Sequence, residues 1–301
     1  MRKISILLSF YNGSKYLKEQ LDSLCSQIYK DIEIITRDDG SSDNTIEILK
    51  SYDVKLLETK ENLGAKRSFG ELLDYAVANS DSGYFMFCDQ DDVWHDKKIE
   101  KTLAKMKEME KEFGDIPLLV HTDLEVVDEK LNTINSSFME FQKINSMKNK
   151  FHDLLIQNTI TGCTMMINRK LAQKSLPIPD GAIMHDWWIG LVASQFGGIG
   201  YVDEPTIKYR QHTSNTVGAK GFDISFVLKS VSKKASLGGN IFQAKVFLEQ
   251  FIDELDDETI KMLQEFSTLE QKSWWQKRAV LLKYKLFKQG FIRNAGLFLK
   301  I

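Results

Sequence analysis

The chain has 301 residues, of which 43% are hydrophobic and 27% are charged, a composition typical of a globular protein with one large core or a core and a smaller appended unit. Its three cysteines, Cys25, Cys88 and Cys163, are widely spaced and form no C-x-x-C pair, which excludes a disulfide framework and a cysteine-pair zinc motif and favours a reducing cytosol. No apolar run reaches the roughly 18 residues that a membrane-spanning helix requires.

The formal net charge of −2 hides an uneven distribution of charge along the chain. Residues 271–301 contain eight Lys or Arg and no Asp or Glu, so the rest of the chain carries a net charge near −10. The same segment contains the adjacent tryptophans Trp274 and Trp275. A basic, aromatic segment beside an acidic body predicts a surface that contacts an anionic partner.

The first 120 residues alternate short apolar runs with amphipathic stretches. Predicted strands are Ile4–Leu8, Ile32–Thr36, Val54–Glu58, Tyr84–Cys88 and Leu118–His121. Predicted helices are Ser14–Gln27, Asp43–Leu49 and Ala65–Ala78. A signal peptide at the start is disfavoured, because the first apolar run breaks at Ser9 without a small-residue cleavage site. The alternation predicts an α/β fold with a mostly parallel sheet, flanked by helices and joined by right-handed crossovers.

The remaining chain divides into two predicted parts. Residues 121–220 mix short strands with polar loops, and we expect them to complete the sheet and shape a second pocket. Residues 221–301 are predicted to form a helical extension, with apolar stripes over 241–255 and 262–269. The predicted domains are therefore 1–220, in halves 1–120 and 121–220, and 221–301.

Polar and acidic residues follow the predicted strands at their carboxyl ends, where open parallel sheets bind ligands. The first strand precedes Ser9–Gly13, the second precedes Arg37–Asp43, and the fourth precedes Asp89–Trp94. Asp38–Ser41 is equally compatible with a simple turn and helix cap. Three carboxylates within Asp89–Asp92 repel one another unless a cation offsets them, and their oxygens suit Mg²⁺ or Mn²⁺ completed by substrate phosphates.

These ordered motifs resemble the inverting family 2 glycosyltransferases, which have the GT-A fold. Ser9–Gly13 and Asp38–Asp43 are similar to the family's nucleotide-binding loops, and Asn62–Arg67 is similar to the segment that leads a helix beside the donor. Asp89–Asp92 resembles the metal-binding D-x-D motif, and Thr161–Cys163 resembles the loop near the acceptor. The resemblance covers residues 1 to about 215.

The second half of the resemblance concerns the acceptor and the diphosphate. His185 and Asp186 stand where the family usually has Glu-Asp, whose Asp deprotonates the acceptor hydroxyl; the role of His185 is left open by the departure. Tyr209–His212, followed by Asn215, resembles the segment that closes over the diphosphate. The implied reaction is a single displacement that inverts the anomeric configuration.

The resemblance assigns the following roles. The catalytic base is Asp186; the donor-binding residues are Ser9, Tyr11, Asn12, Asp38, Asp39, Lys66, Arg67, Asp89 and Arg210; the metal ligands are Asp91, Asp92 and His212; the acceptor-binding residues are Thr161, Gly162, Trp187 and Trp188. Several of these residues also have a structural alternative. Asp186 is also placed to cap a helix, Arg210 and His212 to form surface or salt-bridge contacts, and the tryptophans to pack in the core.

Within the family, the motifs look most like bacterial rhamnosyltransferases of polysaccharide assembly. This implies dTDP-L-rhamnose as donor, a glycan or lipid-linked saccharide as acceptor, and a divalent metal (Mg²⁺ or Mn²⁺) as cofactor; UDP-glucose and UDP-galactose remain open as donors. The segment 271–301 is then expected to lie on an anionic membrane at its cytoplasmic face, although a tail packed on the body is the alternative. No nucleic-acid-binding module is recognised, and the oligomeric state is not indicated.

Two other functional classes remain possible from the residues. A phosphatase of the haloacid dehalogenase type also uses D-x-D, but there the motif follows the first strand, whereas here the acids follow a later one. A non-catalytic protein that binds sugar nucleotides would need no base at Asp186. A dehydrogenase is disfavoured because no G-x-G-x-x-G follows the first strand.

Overall fold

The computed structural model describes residues 3–57, 59, 61–212 and 237–301. The predicted α/β architecture is confirmed, and its strands and helices alternate in the predicted order. The strands are β1 (Ile4–Phe10), β2 (Ile32–Asp38), β3 (Lys55–Leu57), β4 (Tyr84–Cys88), β5 (Val93–Trp94), β6 (Leu118–Val127), β7 (Thr133–Asn135), β8 (Met166–Asn168) and β9 (Gly198–Arg210). The helices are α1 (Leu17–Cys25), α2 (Thr45–Leu49), α3 (Gly64–Asn79), α4 (Lys98–Phe113), α5 (Phe138–Gln142), α6 (Phe151–Ile156), α7 (Arg169–Ser175), α8 (His185–Phe196), α9 (Gly238–Phe251), α10 (Asp257–Ser267), α11 (Trp274–Lys283) and α12 (Phe291–Lys300).

The sheet is mixed, with a parallel half and an antiparallel centre. Its strand order is β3-β2-β1-β4-β8-β6-β9-β5, and β7 pairs with β6. The four strands β3, β2, β1 and β4 are parallel, as the alternation of strands and helices predicts. Strand β8 is antiparallel to both β4 and β6, whereas β6 and β9 are parallel, so the sheet is mostly parallel with antiparallel pairing at β8 and at the edge strands β5 and β7. Residues 121–220 were predicted to complete the sheet. They contribute most of β6 together with β7, β8 and β9.

Residues on each strand alternate between two cores, one on each face of the sheet. On β1, Leu7 packs in one core while Ile6 and Leu8 pack in the other, as the two-residue period of a strand requires. Helices α1, α2 and α4 cover the face of Ile6, and α3, α7 and α8 cover the face of Leu7. Strands β1 and β4 are therefore buried on both faces, which is why they are almost continuously apolar.

The C-terminal helices extend the core on the α8 side. Trp188 of α8 is fully buried, and its ring centroid lies 5.4 Å from that of Phe247 on α9. Leu263, Leu281 and Leu297, from α10, α11 and α12, are buried in the same cluster. The predicted division near residue 220 lies outside the described residues, but the described C-terminal helices share one apolar core with α8.

The close packing of Gly197, directly after α8, predicts that a side chain at this position would destabilise the protein. Gly197 follows α8, and a Cβ atom built there would lie 1.7 Å from the backbone oxygen of Pro117. We expect Gly197→Ala to lower the free energy of unfolding by about 3 kcal/mol, because the clash is with backbone and cannot be relieved by rotating a side chain. The measurement is equilibrium unfolding in urea.

Gly296, inside α12, is the matched control, because a Cβ atom there meets nothing within 4 Å. Gly296→Ala is expected to raise the free energy of unfolding by roughly 0.5–1 kcal/mol through the helix preference of alanine. Equal effects of the two substitutions would contradict the close packing of Gly197 against Pro117.

Candidate active site

A cavity of about 750 Å³ opens at the carboxyl ends of β1, β2 and β4. Both halves of the chain contribute to its wall, and the cavity lies where ligands bind in open α/β sheets. The predicted site residues that line it are Ser9, Tyr11, Asp39, Asp89, Asp91, Thr161, Gly162, Asp186 and Trp187. The predicted residues outside this lining are Asn12, Asp38, Lys66, Arg67, Asp92, Trp188, Arg210 and His212.

The loop after β1 is held in place by the loop after β4. The backbone N–H of Tyr11 donates to Oε1 of Gln90 at 2.9 Å, and Nε2 of Gln90 donates to the backbone oxygen of Tyr11 at 3.2 Å. A Cβ atom on Gly13 would lie 2.6 Å from the same Gln90 oxygen. The Tyr11 side chain is half exposed over the cavity. Gln90 thus joins the two loops, a role that its position inside an acidic motif did not reveal.

Asn12 connects the first loop to the turn after β2. Its backbone has φ +48°, and its N–H donates to Oγ of Ser41 at 2.9 Å. Its side-chain oxygen accepts from the backbone N–H of Ser42 at 2.8 Å. The Asn12 side chain therefore connects the loop after β1 to the turn after β2. The residues of the first loop that line the cavity are the preceding ones, Ser9, Phe10 and Tyr11.

Asp38 and Asp39 have different surroundings. The Asp38 carboxylate accepts the backbone N–H of Ser41 with both oxygens at 3.1 Å, which is the turn geometry that the sequence left open. The Asp39 carboxylate lines the cavity, pairs with Arg37, and accepts the backbone N–H groups of Leu63 and Gly64 at 3.0 and 2.7 Å. Asp39 therefore connects the end of β2 to the start of α3.

The acidic motif after β4 divides between the cavity and the core. Asp89 and Asp91 line the cavity, and Asp92 is fully buried beneath it, where one carboxylate oxygen accepts the Arg210 backbone N–H at 3.0 Å. Burial, followed by the charge of Asp91, raises the pKa of Asp89 to about 7. Burial also raises the pKa of Asp92 well above its ordinary value. A bound cation would favour the ionised forms of both groups.

Arg210 and His212 lie behind this motif and orient it. The Arg210 guanidinium donates to the backbone oxygen of Asp91 at 2.8 Å and to that of Glu129 at 2.6 Å, and it pairs with Glu19. The His212 ring nitrogen Nε2 lies 2.8 Å from Oδ2 of Asp91. Arg210 therefore holds the loop after β4 in place. His212 contacts the carboxylate of Asp91, which also lines the cavity. Asn215 lies outside the described residues.

The residues fit a divalent cation that prefers oxygen ligands. Asp89, Asp92 and Cys163 offer ligand atoms within 4.8 Å of one another, and no other such group is found in the described parts of the chain. Burial raises the pKa of the Cys163 thiol well above its ordinary value, and its soft sulfur is a poorer match for Mg²⁺ or Mn²⁺ than carboxylate oxygen. The carboxylates that face the cavity, Asp89 and Asp91, offer the hard oxygen ligands that Mg²⁺ or Mn²⁺ takes together with substrate phosphates.

Asp186 also lines the cavity, in the first turn of α8. Its carboxylate accepts the backbone N–H of Gly162 at 3.1 Å and that of Trp187 at 2.6 Å. Burial raises its pKa to about 6, although these hydrogen bonds act in the opposite direction. Helix α8 begins at His185. Because Asp186 accepts the backbone N–H of Trp187, it also satisfies a donor in the first turn of the helix, which is the capping role given above as its structural alternative. A carboxylate with a pKa near neutrality has the property that a general base needs.

The remaining predicted residues differ in their access to the cavity. Trp187 lines it, with its indole N–H donating to the backbone oxygen of Leu154 at 2.5 Å. Trp188 is 0% exposed, and its indole N–H donates to the backbone oxygen of Ser175, so its position is that of a core residue. Lys66 and Arg67 lie on the far side of α3, where both donate to Asp180.

The fold and the site together define a class of protein. A mixed α/β sheet flanked by helices, with carboxylates at the ends of β2 and β4 and a buried acid on α8, is the GT-A glycosyltransferase arrangement. Residues 5–176 match the sequence profile of glycosyl transferase family 2, which is more than half of the chain. The chain belongs to glycosyl transferase family 2.

Individual relatives and solved structures are similar to different extents. Uncharacterized glycosyltransferases of Rickettsia typhi and Rickettsia prowazekii are both 29% identical, over 218 and 216 residues, which is 71% of this chain and 65% of each relative. The dTDP-rhamnosyl transferase RfbG of Shigella flexneri is 27% identical over 238 residues, 74% of this chain and 76% of the relative. The structure of Staphylococcus aureus TarS 1–349 in complex with UDP-GlcNAc aligns with a TM-score of 0.59 and 15% identity, covering 94% of this chain and 80% of that one. This last likeness concerns the fold alone.

Proposed function

We propose that this protein is an inverting glycosyltransferase that moves L-rhamnose from dTDP-L-rhamnose to a hydroxyl group of a glycan or lipid-linked saccharide in cell-surface polysaccharide assembly. One observation carries the reaction class: a single cavity is lined by Asp89 and Asp91 and also by Asp186, a buried acid with a raised pKa. The similarity to RfbG supports the choice of rhamnose.

In the proposed reaction, the first loops hold the nucleotide and Asp186 removes the proton from the acceptor hydroxyl. Asp39 keeps the start of α3 beside the nucleotide, through its bonds to the Leu63 and Gly64 N–H groups. Asp89 and Asp91 would hold Mg²⁺ or Mn²⁺, which supplies positive charge to the departing nucleoside diphosphate. The acceptor oxygen forms a bond to the anomeric carbon from the face opposite the nucleoside diphosphate, whose bond to that carbon breaks, so a single displacement inverts its configuration.

Calorimetric titration with dTDP-L-rhamnose, UDP-glucose and UDP-galactose in the presence of Mn²⁺ tests the donor. We expect dTDP-L-rhamnose to bind at least about tenfold more tightly than either UDP-hexose, a difference of about 1.4 kcal/mol. A preference for UDP-glucose or UDP-galactose would overturn the sugar assignment and leave the reaction class intact. Absence of binding to all three would favour a different class of protein.

We also propose that the C-terminal helices bring the enzyme to the anionic inner face of the cytoplasmic membrane. Large apolar side chains are exposed on α11 and α12: Trp275 is 76% exposed, Phe291 88% and Leu299 80%. Some of the basic residues have other roles, because Arg278 donates to the backbone oxygens of Trp274 and Phe298, and Lys283 pairs with Glu265. No helix in the described ranges combines the length and apolar character needed to cross a bilayer, so a surface contact is the mode proposed.

The test substitutes the exposed residues without removing the helices, because Leu281 and Leu297 are core residues. We expect the triple variant Trp275→Ser, Phe291→Ser, Leu299→Ser to lose cosedimentation with phosphatidylglycerol vesicles while its thermal midpoint stays unchanged. Phe113→Ser, at the end of α4, is the control for loss of an exposed aromatic residue, and it should bind vesicles normally. Equal cosedimentation of wild type and triple variant would contradict the membrane contact.

A further inference from the structure

His185, the first residue of α8, lies in the cavity wall next to Asp186. It is 5% exposed and lines the cavity. Its ring lies against two aromatic rings of the nucleotide half of the fold, at centroid distances of 4.4 Å from Phe69 on α3 and 5.2 Å from Phe87 on β4. The imidazole is therefore fixed by packing at the boundary between the predicted nucleotide loops and the predicted base.

Neither ring nitrogen of His185 has a hydrogen-bond partner among the described residues. A buried polar atom without a partner costs free energy, so such atoms are rare in folded proteins unless a ligand or water completes them. Burial lowers the pKa of His185 to about 3, so the ring is neutral and offers one N–H donor and one nitrogen acceptor. A hydroxyl group can use both the donor and the acceptor of such a ring, whereas a phosphate oxygen would use only the donor.

Gly162 keeps the neighbourhood of the imidazole open. A Cβ atom at position 162 would lie 2.9 Å from Nε2 of His185 and 3.5 Å from Cβ of Asp186. The same glycine donates its backbone N–H to Asp186. The absence of a side chain at Gly162 therefore allows the imidazole and the carboxylate to share one corner of the cavity.

We propose that His185 determines sugar specificity by hydrogen bonding, through its imidazole, to a hydroxyl group of the sugar being transferred. The proposal rests on the proposed function. The donor sugar is favoured over the acceptor because the ring packs on α3 and β4. Helix α3 begins at Gly64, whose N–H donates to Asp39, and β4 ends directly before Asp89. A site built to hydrogen-bond a substrate hydroxyl discriminates strongly against sugars that lack it, because its own polar atom is then left unpaired.

A buried histidine elsewhere in the chain provides a matched control. His121, on β6, is also fully buried without a hydrogen-bond partner for either ring nitrogen in the described parts of the chain, and burial also lowers its pKa to about 3. It packs against Tyr201 and is not part of the cavity wall. The two histidines therefore share burial and differ in access to the proposed ligand.

The experiment measures the affinity of nucleotide sugars and of the matching nucleoside diphosphates by calorimetry. His185→Phe keeps the aromatic packing but removes both nitrogens, and His185→Gln keeps hydrogen-bonding capacity. We expect His185→Phe to weaken binding of the preferred nucleotide sugar by about tenfold or more, with His185→Gln less affected and nucleoside diphosphate affinity unchanged. His121→Phe should change neither affinity. Thermal midpoints of both phenylalanine variants should equal or exceed that of wild type, since each removes unpaired buried nitrogens.

Deoxygenated analogues of the preferred sugar then identify the hydroxyl group. One analogue is expected to bind wild type and His185→Phe equally, because it lacks the group that His185 contacts. Unchanged nucleotide-sugar affinity in a folded His185→Phe variant would overturn the inference, as would an equal loss of nucleoside diphosphate affinity. A wild-type protein that binds no nucleotide of either kind would overturn the proposed function and this inference with it.

Discussion

Replacing Asp186 with asparagine is expected to lower the rate of glycosyl transfer by about 10²- to 10⁴-fold while leaving nucleotide-sugar affinity unchanged. The amide is nearly isosteric with the carboxylate but cannot take a proton from the acceptor hydroxyl. Its one carbonyl oxygen can still accept either the Gly162 or the Trp187 N–H but not both, so the thermal midpoint of the variant is compared with that of wild type. Initial rates with acceptor and donor titrations on the same preparation provide the measurement.

Asp180→Asn is a suitable control for this substitution, because Asp180 is an exposed carboxylate outside the cavity lining that pairs with Arg67. It should retain the wild-type rate. A comparable loss of donor affinity and rate in Asp186→Asn would contradict the role of Asp186 as base and would favour its structural alternative in the first turn of α8.

The pH dependence follows from the same group. Burial raises the pKa of Asp186 to about 6, and the base must be ionised to act, so the rate should fall as pH decreases through about 6 and level off above it. His185 remains neutral across this range, and a bound cation would keep Asp89 in the same cavity ionised, so Asp186 is the group expected to set the profile. A pH–rate profile that stays flat across this range would contradict a buried carboxylate base.

Replacing Asp91 with asparagine is the second change with a large expected effect, a loss of about 10²- to 10³-fold in metal-dependent transfer. Asp91 is the acid that both lines the cavity and reaches His212, at 2.8 Å. Its removal leaves Asp89 as the carboxylate of the motif that faces the cavity. Nucleoside diphosphate affinity measured with Mn²⁺ should fall, whereas the weaker affinity measured with a chelator should not change.

Asp115→Asn controls for the loss of one negative charge, because Asp115 is exposed and pairs with Lys170 away from the cavity. Its metal-dependent rate should match that of wild type. Identical manganese dependence in Asp91→Asn and wild type would show that the cation is held elsewhere or that none is used.

The sequence predicted the order of the first strands and helices because local patterns determine them. Strands buried on both faces are apolar runs, and β4 was predicted with its observed bounds, Tyr84–Cys88. The same logic placed Asp39, Asp89 and Asp91 at the strand ends that surround the cavity, since parallel strands bring their carboxyl ends to one edge. The antiparallel position of β8 depends on pairing between distant segments, which periodicity does not report.

Side-chain partners from distant parts of the chain explain most of the differences between the predicted site residues and their observed surroundings. Arg210 stays a predicted donor-binding residue, and in the structure its guanidinium meets Glu19 and the backbone oxygens of Asp91 and Glu129, separated from it by 81 to 191 positions. Trp187 and Trp188 are neighbours in sequence, yet successive helical residues point about 100° apart, so one lines the cavity and the other enters the core.

The role of His185 could not be decided from the sequence alone. A histidine before an acid at a helix start is compatible with a surface group, a capping residue or a ligand. Only the packing against Phe69 and Phe87 and the unpartnered nitrogens distinguish these possibilities. Gly162 is similar, because the need for glycine arises from its contact with His185, 23 positions away.

The most direct test of the proposed chemistry is release of nucleoside diphosphate from a panel of dTDP-L-rhamnose, UDP-glucose and UDP-galactose, with Mn²⁺ or Mg²⁺ and without an added acceptor. Slow hydrolysis of one donor, dependent on metal and lost in Asp91→Asn, is the expected result and would identify the sugar. No release and no binding across the whole panel would contradict a glycosyltransferase site in this cavity.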